Sequence, residues 1–197
     1  MITSRVNVTQ LLTVSKSAQD FINDGDLNFE SGDFTGALVD YTKAVHLEPE
    51  NPDFHYNRGL ANHSLKNLSD ALQDFTNTID LNPKHEDALY NRAMLAAVVG
   101  SLPAAIADLN SAIKLNPEDA ELYNNRGAIR LQQKDMPGAI ADFDQAIIVN
   151  PSDGRAHFNR AVAKLNMNNR PAATADFEKA LDLGVQQAKE YLLSMNN

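Results

Sequence analysis

Apolar and small residues recur along this chain at intervals of 34 positions, with polar residues between them. An alanine marks each period: Ala37, Ala71, Ala105, Ala139 and Ala173. A large apolar residue follows each alanine four positions later: Tyr41, Phe75, Leu109, Phe143 and Phe177. Spacings of three and four predict helices, and a fixed period of this length predicts stacked repeats that share one elongated core.

The periodicity divides 170 of the 197 residues into five units, at 18–51, 52–85, 86–119, 120–153 and 154–187. Each unit predicts two helices separated by turn residues such as Gly32-Asp33 and Gly100-Ser101. Asn-Pro pairs such as Asn82-Pro83 predict the end of a second helix, because proline disfavours helical backbone in the residue before it. We refer to the units as repeats 1 to 5.

The two ends depart from the pattern. Residues 185–197 predict a capping helix at about Val185–Met195 and a tail, with Tyr191 in register with the aromatic position of the first helices. A cap is expected because an open end would expose the core. Residues 1–17 form an N-terminal lead, for which a flexible segment and a short helix both stay open.

Composition narrows the function classes. A net charge of −9 argues against nucleic acid as a partner, since phosphate contacts need a basic surface. The sequence has no cysteine, so it has no disulfide framework or thiolate metal site. It has no stretch long and apolar enough to cross a membrane and no signal-peptide pattern, so we expect a cytoplasmic protein. It also has no catalytic or metal-ligand motif, so we expect no catalytic residue, cofactor or metal.

These features together resemble the tetratricopeptide repeat family. The resemblance rests on the repeat length, on the helix–turn–helix pattern and on the order small residue, alanine, aromatic, alanine, proline. It implies an all-α, right-handed solenoid of antiparallel helix pairs with a concave groove. The sequence departs from the family at the first-helix aromatic position, which holds Phe21, His55, Leu89, Tyr123 and His157, and at Val185, where proline is expected.

Every repeat carries an asparagine at the same point of its first helix. This asparagine column is Asn23, Asn57, Asn91, Asn125 and Asn159. The resemblance places it on the concave face, where amides that donate and accept hydrogen bonds suit a peptide backbone. It is similar to the asparagine ladder in the groove of repeat-containing O-linked glycosyltransferases. The alternative is that these amides cap or bridge neighbouring helices, and the sequence leaves both open.

Apolar residues share the stripe of the asparagine column. The candidate partner-binding side chains are Tyr56, Tyr90, Phe158, Leu60 and Met94. Acids line one edge of the stripe at Asp53, Asp87 and Glu121. These apolar residues could contact a partner or pack against the next repeat, and the acids could complement the helix dipole instead.

Arginine and aspartate form two further columns. They comprise Arg58, Arg92, Arg126 and Arg160 on first helices, and Asp40, Asp74, Asp108, Asp142 and Asp176 on second helices. Repeat 1 has Asp24 in place of arginine, so pairing each aspartate with the arginine of the next repeat leaves only Asp176 over. We therefore predict ion pairs between repeats: Asp40–Arg58, Asp74–Arg92, Asp108–Arg126 and Asp142–Arg160.

The resemblance also specifies which partner to exclude. Chaperone-binding members use a carboxylate clamp whose lysine positions here hold Ile22, Tyr56, Tyr90, Asn124 and Phe158 in one column, and Gln19, Asp53, Asp87, Glu121 and Arg155 in the other. We therefore expect no binding to the acidic chaperone C-terminus and favour a protein or peptide with basic residues. The resulting expectation is a non-enzymatic adaptor, and the alternative is a structural protein that self-associates through its ends or convex face.

Overall fold

The computed structural model describes residues 16–195, and all regular structure within that range is helical. The helices, in chain order, are α1 Ala18–Glu30, α2 Phe34–Leu47, α3 Pro52–Ser64, α4 Leu68–Leu81, α5 Glu86–Val98, α6 Leu102–Leu115, α7 Ala120–Gln132, α8 Met136–Val149, α9 Gly154–Asn166, α10 Arg170–Asp182 and α11 Gln187–Met195. Helices α1 to α10 form five antiparallel pairs that stack in sequence order. The predicted all-α solenoid is confirmed.

Local chemistry sets the helix ends. Ser17 and Asp20 form a capping box at α1, in which each side chain accepts a hydrogen bond from the other residue's backbone N–H. The turn inside each pair uses one residue with a left-handed backbone, and this residue is Gly32 in repeat 1 (φ 84°) and Lys66 in repeat 2 (φ 65°). The sharp reversal lets two short helices pack against each other along their whole length.

Small residues on the first helix bring the two helices of a pair close together. A Cβ atom added to Gly59 would lie 2.8 Å from Phe75 Cε1, and one added to Gly127 would lie 2.7 Å from Phe143 Cε1. Both phenylalanine rings are consequently buried. Close approach of the helix axes thus depends on these glycines, as ridge-into-groove packing requires.

The core runs along the stack and crosses repeat boundaries. One buried cluster joins Ile79 of repeat 2 to Leu89 and Leu109 of repeat 3 and to Leu122 of repeat 4. Each repeat therefore completes its hydrophobic core with its neighbours, as expected for a solenoid.

Helix α11 closes the C-terminal end as predicted. Its Tyr191 ring stacks on Phe177 at 4.8 Å between ring centroids and meets Phe158 edge-on at 5.4 Å. Ala188 is buried beneath α11, while Lys189 and Glu190 on its outer side are exposed. At the other end, residues 1–15 of the predicted lead lie outside the described residues.

Candidate protein-binding surface

The first helices of neighbouring repeats are joined by hydrogen bonds from the asparagine column. Asn91 Nδ2 donates to the Tyr56 hydroxyl at 3.1 Å, and Asn125 Nδ2 donates to the Tyr90 hydroxyl at 3.2 Å. Asn159 Nδ2 donates to Asn124 Oδ1 at 3.1 Å. We call the surface formed by these side chains, on α1, α3, α5, α7 and α9, the groove face. For three asparagines, the bridging role left open by the sequence is therefore present.

The first two members of the column differ from the others. Asn23 accepts a hydrogen bond from Gln19 Nε2 at 3.0 Å. The residue that would receive the amide of Asn57 is Ile22, which is aliphatic. No hydrogen bond joins the Asn57 side chain to another group within residues 16–195. Asn57 instead lines a small cavity of 200 Å³ with Asp26, Leu60 and others, so its amide is available to a ligand.

The bridging asparagines also keep an unused acceptor. Asn91, Asn125 and Asn159 bridge through their Nδ2 donors, and within residues 16–195 their Oδ1 atoms receive no hydrogen bond. A side-chain amide oxygen can accept two hydrogen bonds. The column therefore joins the repeats with its donors and leaves a row of acceptors.

The aromatic side chains on this face are partly buried in the stack. The Tyr56 ring lies 4.6 Å from that of His85 and 5.9 Å from that of Phe75, centroid to centroid. Phe158 packs against Phe177 at 5.5 Å. Leu60 and Met94 also pack against core clusters. Packing within and between repeats is thus a role of these residues, and the part of each that remains exposed belongs to the groove face.

The groove face is negatively charged toward its N-terminal end. Asp26, Glu30, Asp53 and Asp87 are exposed on α1, α3 and α5. Burial, followed by its hydrogen bond to Asp26 (2.8 Å), raises the pKa of Tyr41. Burial and Glu121 likewise raise the pKa of Tyr90, whose hydroxyl donates to Glu121 Oε1 at 3.1 Å. These hydroxyl groups therefore stay protonated at neutral pH.

The arginine and aspartate columns pair differently from the prediction. Each ion pair lies within one repeat: Arg58–Asp74 at 2.6 Å, Arg92–Asp108 at 2.7 Å, Arg126–Asp142 at 2.6 Å and Arg160–Asp176 at 2.6 Å. The predicted pairing between repeats is wrong. Arg58 and Asp74 are equally far in sequence from Lys66 in the turn, so an antiparallel pair places them opposite each other. Asp40, which has no arginine in repeat 1, instead accepts hydrogen bonds from Asn28 at 3.0 Å and Lys43 at 2.9 Å.

The same arginines reach the preceding repeat through residues that the sequence did not single out. Arg92 Nη1 donates to Thr76 Oγ1 at 3.2 Å, Arg126 Nη1 donates to Asn110 Oδ1 at 2.6 Å, and Arg160 Nη1 donates to Asp144 Oδ1 at 2.6 Å. The three acceptors occupy the same repeat position, but they are of three residue types and so do not form a recognisable column in the sequence. Each of these guanidinium groups therefore contacts two repeats.

The last ion pair has a second cation. Burial opposes ionisation of Asp176, but hydrogen bonds from Arg160 and Lys164 outweigh it and lower the pKa of this carboxyl. The Lys164 Nζ–Asp176 Oδ2 distance is 2.7 Å. In repeat 3 the position of Lys164 is Ala96, so the support of the aspartate column varies along the array.

Two kinds of site are not found in the described part of the chain. No cluster of three or more histidine, aspartate or glutamate side chains there is arranged to hold a metal ion. None of the helices from α1 to α11 is both long and apolar enough to cross a membrane.

Three protein-family models match this chain. Models described as TPR repeat and tetratricopeptide repeat match residues 25–66, 67–113 and 93–164. The chain belongs to the tetratricopeptide repeat family. Arrays of this family typically serve as non-enzymatic scaffolds that bind protein or peptide partners.

Solved structures share the helical-repeat architecture over most of this chain. A crystal structure of MamA is 25% identical with a TM-score of 0.81, over 87% of this chain and 94% of that one. A tetratricopeptide repeat protein from Parabacteroides merdae is 25% identical with a TM-score of 0.79, over 84% of this chain and 66% of that one. YrrB, described as a TPR protein with an unusual peptide-binding site, is 21% identical with a TM-score of 0.77, over 86% and 88%. No curated protein matches the chain in sequence.

Proposed function

We propose that this tetratricopeptide array is a non-enzymatic scaffold that holds a peptide segment of a partner protein on its groove face. The observation that carries the proposal is the row of unused amide oxygens on Asn57, Asn91, Asn125 and Asn159. Backbone N–H groups of a peptide are matching donors and do not depend on the peptide's sequence. The column would thus supply general affinity for a peptide chain.

Side-chain selection would come from the apolar part of the groove face. Tyr56, Tyr90 and Phe158 are held by packing against core clusters of the stack, and Leu60 and Met94 lie on the same stripe. Side chains that are already ordered lose little conformational entropy when a ligand binds. Their exposed parts would contact apolar side chains of the partner.

Charge would select the partner further. The exposed acids Asp26, Glu30, Asp53 and Asp87 favour a segment that carries lysine or arginine. Because this chain lacks the lysines of a carboxylate clamp, the proposal excludes an acidic C-terminal tail as the ligand.

Asn57 offers the cleanest test, since its side chain takes no part in holding the repeats together. A random-peptide display selection on the wild-type protein would supply ligands, whose dissociation constants are then measured by fluorescence anisotropy. Loss of one hydrogen bond of about 1 kcal/mol predicts roughly fivefold weaker binding to Asn57→Ala at unchanged melting temperature. Gln145→Ala, which truncates an exposed amide on the second helix α8, is the control and should bind like wild type.

Two results would contradict the proposal. One is the selection of acidic peptides that bind Asn57→Ala and Gln145→Ala equally well. The other is recovery of no peptide from a protein whose mass rises with concentration, which would favour the self-associating alternative.

A further inference from the structure

One position in the first turn of the first helices carries a charge that changes sign along the array. It is acidic in repeats 2, 3 and 4, at Asp53 on α3, Asp87 on α5 and Glu121 on α7. In repeat 5 it is Arg155 on α9, whose first turn contains no acid. We call these four side chains the charged edge. All four are exposed, so both signs of charge are open to a ligand.

The charged edge adjoins the asparagine column. Each of its members lies four residues before an asparagine of the column, so the two share one stripe of each first helix. Asn91 Nδ2 also donates to the main-chain oxygen of Asp87 at 2.9 Å, and the Tyr90 hydroxyl donates to Glu121 Oε1 at 3.1 Å. A peptide held by the column would therefore pass along the charged edge.

The stability of α9 does not account for Arg155. The helix dipole favours acids in a first turn and disfavours an arginine there. Capping does not require the arginine either. Asp153 caps α9 by accepting the Arg155 backbone N–H at 2.9 Å, and Asp119 caps α7 in the same way from Glu121 at 2.8 Å. Two equivalent caps thus have opposite charges beside them, and a residue that breaks a local rule of this kind is a candidate for function.

The guanidinium group of Arg155 has room for a second carboxylate. Its Nε and Nη2 donate to the two oxygens of Asp153, each at 3.1 Å. Within residues 16–195 its Nη1 has no hydrogen-bond acceptor. The Arg155 side chain is 63% exposed and that of Asp153 only 10%, so a ligand meets the cation of this pair. A planar guanidinium with free N–H donors is well suited to a carboxylate.

We propose that the peptide on the groove face has separated charges, with lysine or arginine opposite the three acids of the charged edge and an aspartate or glutamate opposite Arg155. This inference rests on the proposed function, because it assigns the charge pattern of the same ligand. Packed helices lie about 10 Å apart and an extended chain advances about 3.3 Å per residue, so the peptide crosses one repeat about every three residues. The acid therefore lies about three residues from the basic residue that faces Glu121. A uniformly acidic tail stays excluded, because it would meet three acids.

Peptide selection on two forms of the full chain tests the charge pattern. Random-peptide display on the wild type should yield peptides with basic residues and one acid in this spacing. The same selection on Arg155→Glu should yield peptides that have a basic or neutral residue in place of the acid. Arg170→Glu is the matched control, since it makes the same charge change at an exposed arginine in the first turn of the second helix α10.

Fluorescence anisotropy then measures reciprocal exchange of the charges. Reversing one exposed charge should weaken binding of a wild-type-selected peptide to Arg155→Glu about fivefold, and binding to Arg170→Glu should not change. Changing the acid of that peptide to lysine should restore its affinity for Arg155→Glu. The fivefold difference should shrink in about 1 M salt, where charges are screened beyond about 3 Å.

Melting temperatures separate ligand contact from damage to the fold. Arg155→Glu should melt within about 2 °C of wild type, because it loses only an exposed ion pair and the helix dipole favours the new acid. Arg155→Gln is the milder variant and should bind the selected peptide with intermediate affinity. It decides the question if Arg155→Glu does not fold.

The failure of this inference differs from the failure of the proposed function. Selected peptides that lack an acid and bind the wild type and Arg155→Glu equally, yet weaken on Asn57→Ala, would overturn the charge pattern and leave the groove function standing. Equal weakening by Arg155→Glu and Arg170→Glu would also overturn it, because net charge and not the charged edge would then decide affinity. Recovery of no peptide from the wild type would overturn both.

Discussion

Asp142 on α8 accepts hydrogen bonds from two arginines of its own repeat, so its removal tests the ion pairs of the array. Arg126 contacts it through Nε and Nη2, at 2.6 Å for the shortest bond, and Arg130 Nη1 lies 2.7 Å away. The side chain of Asp142 is only 3% exposed. Removing one partner from a buried ion pair typically costs about 3–5 kcal/mol, because the remaining charge stays buried without its counterion. We expect Asp142→Ala to lower the free energy of unfolding by that amount.

Asp40 provides a matched comparison in repeat 1. It occupies the same repeat position, but its cation is Lys43, whose side chain is 48% exposed, and solvent screens such pairs to about 1 kcal/mol or less. Chemical denaturation followed by circular dichroism at 222 nm measures both variants against wild type. Equal losses for Asp142→Ala and Asp40→Ala would refute the reasoning, because burial and the number of cations would then not decide the cost. A double-mutant cycle of Asp142→Leu with Arg126→Met isolates the pair itself.

Three smaller predictions concern pH and the histidines. The lowered pKa of Asp176 stabilises the fold above the ordinary carboxyl value of 3.8, and this stabilisation is lost as pH falls through the lowered pKa. Asp176→Asn should therefore flatten the acid loss of melting temperature below about pH 5. The pKa of Tyr41 is raised above the ordinary tyrosine value of 10.0, so its stabilising effect is present below pH 10.0 and is lost as pH rises further. Tyr41→Phe should therefore lower the free energy of unfolding by about 1 kcal/mol at pH 8 and flatten the alkaline loss of melting temperature. His157 Nδ1 is buried without a hydrogen bond, whereas His55 Nδ1 lies 3.5 Å from Asn77 Nδ2, so His157→Leu should cost less stability than His55→Leu by thermal unfolding.

The helices and their stacking could be predicted from sequence, while the ion-pair partners could not be taken from column spacing alone. A 34-residue period places every arginine between two aspartates, one earlier and one later in the chain, and column counting does not distinguish them. The deciding signal is distance from the turn: Arg126 and Asp142 are equally far from Lys134, so they face each other in the antiparallel pair. That signal is local and was available in the sequence.

The role of the asparagine column was only partly predictable for a different reason. Every repeat has the asparagine, but the residue that faces its amide differs between repeats. That residue lies in the previous repeat, immediately before the asparagine of that repeat. From repeat 1 to repeat 4 it is Ile22, Tyr56, Tyr90 and Asn124. A hydrogen bond forms only where the earlier residue offers an acceptor. For Asn57 the earlier residue is Ile22, whose side chain has no acceptor, so the Asn57 amide forms no such hydrogen bond.

The members of the asparagine column therefore differ in role, because Asn91 and Asn125 bridge repeats and Asn57 does not. Asn91 and Asn125 join first helices through Nδ2, so truncating either would remove a hydrogen bond between repeats as well as an acceptor from the groove face. A change in peptide affinity after such a mutation would not reveal which effect caused it. Asn57 contributes only to the groove face, so the affinity of Asn57→Ala reports on ligand contact alone. A peptide that binds through the column would consequently contact both the unpaired amide of repeat 2 and the amides that join the first helices of neighbouring repeats.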